Sequence, residues 1–151
     1  MPIALYRFKA SQMAIEGKVD RGKGDTIFTQ VFDAIEAKEL ENYPEVFRVD
    51  DSSHRVWRAN FQGEGSYDIG GPYRESQENI SNELSSSVLP VLIPTENQRH
   101  EHGEMRECFV LNHQATTSSE LKQIYNFGLM IGFGIRSGQS WNIALHPIIW
   151  K

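Results

Sequence analysis

Asp25-Thr26-Ile27-Phe28-Thr29-Gln30-Val31-Phe32-Asp33-Ala34-Ile35 returns an apolar side chain every fourth residue, at Ile27, Val31 and Ile35. Phe28 and Phe32 widen the stripe, which is the pattern of a helix with one buried face. Asp25 has the side chain of an N-cap, so the helix is expected to start there and to run to about Leu40. Further along, Arg55 to Gln62 changes to period two. Trp57, Ala59 and Phe61 fall on one face and Arg58, Asn60 and Gln62 on the other, as in a half-buried strand. Both periods in one chain give an α+β fold, mainly helical with a few short strands.

Upstream, Leu5, Phe8, Gln12 and Ile15 have loose helical spacing that stops at Gly17, and Gly17 to Gly24 reads as a polar loop. Asn42 to Ser53, with Pro44, reads as a connector. Gly63-Glu64-Gly65 ends the strand, and Gly70-Gly71-Pro72 opens a helix whose buried face is Tyr73, Ile80, Leu84 and Val88. Pro90 and Pro94 bracket a short apolar piece, Val91 to Ile93. Thr95 to Arg106 is expected to be a polar loop and Cys108 to Leu111 a short strand. Thr117 and Glu120 form a capping-box pair that opens a helix from Ser118 to about Arg136, with Gly138 as its stop. The second half of that helix is apolar all round and is expected at the centre of the core. Gly128 and Gly132, four apart, leave room for another element to approach it. His146-Pro147 looks like the start of one more helix, followed only by Ile148, Ile149, Trp150 and Lys151, too few to nucleate it. The chain is therefore expected to be truncated inside a structural element.

The 151 residues carry a net charge of −5, with Lys and Arg scattered, so no basic stripe suits a nucleic acid. The most apolar run, Ile124 to Ile135, contains Asn126 and falls short of the roughly 20 residues of a membrane span. The first residues reach Arg7 and Lys9 before a signal-peptide core can develop. A lone cysteine, Cys108, fits a reducing compartment, and the expected location is cytoplasmic.

Few residues invite chemistry. Cys108 lies beside Glu107, which disfavours a thiolate, and ahead of Phe109-Val110-Leu111, so it reads as a structural thiol. His100 and His102, with Glu101, Glu104 and Cys108, have metal-ligand chemistry but match no standard zinc spacing, and they read as a solvated loop. His54, His113 and His146 are isolated. Gly17-Lys18-Val19-Asp20-Arg21-Gly22-Lys23-Gly24 falls one residue short of a phosphate loop: Gly24 stands where a Ser or Thr should hold magnesium, and no apolar strand precedes it. Asn79-Ile80-Ser81 matches a glycosylation sequon, but it sits on an expected helix. No catalytic residue, cofactor site or metal site is assigned.

Three segments, beginning at Gly22, Val56 and Phe127, together resemble a single family, the HECT domain of large HERC-type ubiquitin ligases. Gly22 to Phe32 resembles the domain's opening. Val56-Trp57-Arg58 and Phe61-Gln62-Gly63-Glu64-Gly65, followed by Asp68-Ile69-Gly70-Gly71-Pro72-Tyr73-Arg74-Glu75, are similar to its strand, glycine turn and helix start. Phe127 to Gly132, Ile135-Arg136-Ser137-Gly138 and Trp150-Lys151 resemble its central helix and the segment after it. Tyr67 departs from the acidic residue usual before Asp68. The resemblance implies that residues 25–151 are the first part of the HECT N-terminal lobe, led into by an N-terminal helix and loop at residues 1–24. It also implies that the family's nucleophilic cysteine lies beyond Lys151 and that Cys108 belongs to a structural strand. Gly70 and Gly71 would supply backbone freedom, Glu75 would sit in the helix's first turn, and Arg74 would pair with an acidic group.

The function expected from the resemblance is the scaffold of a ligase that takes ubiquitin from a conjugating enzyme and transfers it to substrate lysines. Conjugating enzyme and ubiquitin would be partners of the full domain, and this chain alone would be inactive. The alternative is a short non-catalytic protein that binds ubiquitin or a ligase's partners.

Overall fold

The computed structural model of the chain describes residues 1–20, 24–38, 43–48, 55–64 and 71–151. Its architecture is mixed α+β and mainly helical. Strand β1 (Pro2–Leu5) precedes α1 (Arg7–Glu16) and α2 (Ile27–Lys38), then β2 (Arg58–Phe61) and α3 (Gly71–Leu84). Strand β3 (Leu92–Pro94), the single turn α4 (Glu96–Arg99), β4 (Phe109–Leu111) and the long α5 (Ser118–Ser137) come next. Two 3-10 turns, Tyr43–Phe47 and Pro147–Trp150, complete the order.

The expected helical stripe of α2 is the centre of the core: Ile27, Phe28, Val31, Phe32 and Ile35 are all buried. Phe32 stacks on Phe47 with ring centroids 5.4 Å apart, and Phe47 meets Phe133 of α5 edge-on at 6.4 Å. This aromatic chain joins α2 to α5. The period-two stretch forms β2 as expected, with Ala59 and Phe61 inward and Trp57 buried just ahead of them.

The N-terminal residues depart from the expected helix. Residues 2–5 form β1, which pairs parallel with β2 in the register Ile3↔Ala59 and Leu5↔Phe61. Ile3 and Leu5 are buried by this pairing, while Phe8 and Ile15 on α1 are 81% and 86% exposed. Strand alternation, not helical spacing, thus decides which of these side chains enters the core. Gly17 ends α1 at φ 65°, the left-handed conformation that Gly adopts without cost.

Val88 lies past the end of α3 and is half-buried, so Tyr73, Ile80 and Leu84 carry that helix's core face. Strands β3 and β4 pair antiparallel, Leu92↔Leu111 to Pro94↔Phe109. The stretch read as a loop contains α4, capped by the Thr95 hydroxyl, which accepts from the Gln98 amide at 3.2 Å. Residues 144–146 run along the other edge of β4: the Phe109 amide donates to Ala144 and the His146 amide to the Phe109 carbonyl, at 2.8 and 2.9 Å.

Helix α5 opens on the expected capping box of Thr117 and Glu120 and ends at Gly138 with φ 69°. It is not surrounded. Gln123, Asn126, Phe127, Met130, Phe133, Gly134 and Ser137 are buried at three- and four-residue spacing, which is one face of a helix. On the outer face Leu121 and Tyr125 are half exposed, Ile135 is 69% exposed, and a Cβ added at Gly128 or Gly132 would meet nothing within 4 Å. The glycine under close approach is Gly134. An added Cβ there would lie 2.8 Å from the Gln139 carbonyl oxygen and 2.9 Å from Trp141 Nε1.

Candidate functional site

A group of bonded polar side chains sits where α1, β2, the start of α2 and α3 converge. Arg7, in the first turn of α1, forks between the carboxylates of Glu64, after β2, and Glu75, on α3. Its guanidinium also lies over the Phe61 ring, 4.6 Å from the centroid. The pair with Glu64 and then the pair with Glu75 raise the Arg7 pKa, so its charge is secure. Next to it, buried Trp57 Nε1 donates to Ser76 Oγ at 3.0 Å, and Ser76 donates onward to the Tyr73 carbonyl at 2.6 Å. Every donor in this small chain has an acceptor, as a buried polar network requires.

The N-terminus of α2 is capped from two sides. Thr26, not Asp25, is the local cap: its hydroxyl accepts from the Thr29 amide at 3.1 Å. Glu83, from the last turn of α3, accepts the Ile27 amide at 2.6 Å and the Phe28 amide at 2.9 Å. Four helix amides lack intrahelical partners, and a carboxylate facing them gains both hydrogen bonds and the helix dipole. Burial nonetheless pushes the Glu83 carboxyl up to about 7, against the pull of those two bonds. Asp25 serves the loop instead. It accepts from the Asp20 amide at 2.9 Å and pairs with Lys9 at 2.7 Å, and the Lys9 contact, then the amide, holds its carboxyl below the usual range. Sequence reasoning missed Glu83 because no local pattern connects residues that are 56 positions apart.

The residues singled out from sequence fall elsewhere. Cys108 is 7% exposed in the turn before β4, its amide bonded to the Met105 carbonyl and its carbonyl to the Thr95 amide. Burial, then the Glu107 charge, pushes the Cys108 thiol up, away from thiolate chemistry. His100 Nε2 lies 3.3 Å from Glu96 on the exposed side of α4. Among the described residues no three His, Cys, Asp or Glu side chains converge on a point that could hold a metal. Of the near-phosphate loop, residues 21–23 lie outside the described residues; Lys18 pairs with Glu16 at 3.0 Å. Asn79 donates to the Glu75 carbonyl at 2.9 Å and Ser81 is buried, so the sequon is built into α3.

The helix-start motif also divides. Gly70 and Tyr67 lie outside the described residues, and Gly71 is the first residue of α3. Glu75 sits one residue past the first turn and meets Arg7 there, while Arg74 is exposed and makes no ion pair among the described residues. The expected first-turn place of Glu75 and the expected acidic partner of Arg74 are therefore not found among the described residues, and the cation that Glu75 meets comes from α1.

A second feature is an apolar groove of about 420 Å³ between the C-terminal half of α5 and residues 138–150, lined by Ile131, Ile135, Trp141, Ile143, Leu145 and Trp150. His146 caps the final 3-10 turn, its Nδ1 accepting from the Ile148 amide at 3.2 Å. Ile148 and Trp150 remain more than half exposed. Among the described residues no helix is long and apolar enough to cross a membrane.

Among the described residues the side-chain bonds of Arg7, Trp57 and Glu83 tie separate parts of the chain to one another. No family model matches the chain, and no solved structure matches it. The chain is 37% identical over 98 residues to E3 ubiquitin-protein ligase HERC2 of Mus musculus, and equally to that of Homo sapiens. The matched stretch is 65% of this chain and spans only 2% of the length of either ligase.

Proposed function

We propose that this chain is a scaffold region of a HECT-type ubiquitin-protein ligase, a framework for ubiquitin transfer and not the site of transfer itself. The observation that carries the reading is the 37% identity over 98 residues to the two HERC2 ligases. The geometry supports a framework role, because Arg7 and Glu83 spend their polar bonds joining one element to another. In this reading residues 25–151 are part of the HECT N-terminal lobe and residues 1–24 lead into it. A ubiquitin-conjugating enzyme and ubiquitin are partners of the whole domain, in the cytoplasm.

Sequencing the mature transcript past the codon for Lys151 tests the assignment. The expected result is continued reading into a subdomain that docks the conjugating enzyme and a lobe that carries a reactive cysteine. A stop codon directly after Lys151 overturns it. Mixing the chain with ubiquitin-charged conjugating enzyme tests the role of Cys108. No reducible ubiquitin adduct is expected, and a thioester on Cys108 would contradict a scaffold.

One observation favours a second reading, a non-catalytic binding module: Leu121 and Ile135 on the outer face of α5 are more than half exposed.

A further inference from the structure

We draw no further inference here: the strongest candidate, the outer apolar face of α5 together with the groove between that helix and residues 138–150, is an unpartnered surface, and nothing in the structure shows what covers it.

Discussion

Glu83 caps a helix to which it does not belong, its carboxylate 2.6 Å from the amide nitrogen of Ile27. The contact fixes the last turn of α3 against the first turn of α2, beside an open cleft of about 200 Å³ that Arg7 and Ser11 also line. Replacement by Ala leaves two partly buried amides without an acceptor. At pH 6, where the Glu83 carboxyl is mostly protonated, Glu83→Ala is expected to lower the unfolding free energy by about 2 kcal/mol, and Glu83→Gln, which keeps the same single carbonyl acceptor, by well under about 1 kcal/mol. Urea denaturation at pH 6 measures both. An alanine variant within about 0.5 kcal/mol of the parent would mean that water satisfies these amides.

Asp25 and Glu83 give stability opposite dependences on pH. The Asp25 carboxyl is held down in the folded chain, so its contribution is present above about pH 4 and is lost as pH falls through the folded value. The Glu83 carboxyl is raised from 4.5 to about 7, so its contribution is complete below 4.5 and is lost as pH rises through about 7. Denaturation midpoints from pH 3 to 9 should show both limbs. Asp25→Asn should flatten the acid limb and Glu83→Gln the neutral one. A neutral limb that survives in the Gln variant must come from another group.

Trp57 depends on one acceptor. Ser76→Ala removes the oxygen that receives its indole N–H and leaves that donor buried, at an expected cost of about 1–3 kcal/mol. The indole also packs on Tyr73 with centroids 4.9 Å apart, so the near-ultraviolet circular dichroism should change along with stability. An unaltered spectrum together with unaltered stability would show that Trp57 finds another partner.

The three glycines of α5 should respond oppositely to alanine. At Gly128 and Gly132 a methyl group meets nothing within 4 Å, and the gain in helix propensity is expected to stabilise the chain by up to about 1 kcal/mol per site. At Gly134 the same methyl would press on the Gln139 carbonyl and on Trp141, and a loss of about 1–3 kcal/mol is expected. Thermal melts of the three single variants decide it. Equal effects at all three sites would contradict the placement of Trp141.

Much of the fold was legible because its signals are local. The stripe of α2, the alternation of β2 and the Thr117–Glu120 box each occupy a few consecutive residues. Strand β1 was not legible. Leu5 and Phe8 happen to share a helical interval, and the partner that makes Leu5 a strand residue is Phe61. The environment of α5 was misjudged for a related reason: a helix apolar on all sides implies neighbours on all sides, and composition cannot say which sides this chain fills. The bonds of Arg7 and Glu83 are tertiary and leave no trace in spacing. By contrast, the Glu107 charge that helps push the Cys108 thiol up is its neighbour in sequence.

The parallel pairing of β1 with β2 has a consequence in time as well as in space. Antiparallel strands can zip outward from a turn, but this ladder closes only after α1 and α2 have been gathered into the loop between its strands. Helix α2 can nucleate from its own residues, whereas Ile3 and Leu5 must wait for the far side of the ladder to arrive. Pro2–Leu5 is thus the element to expect last in folding and first to detach. Its departure would bare Ala59 and Phe61 and leave β2 as an open edge able to recruit a strand from another molecule.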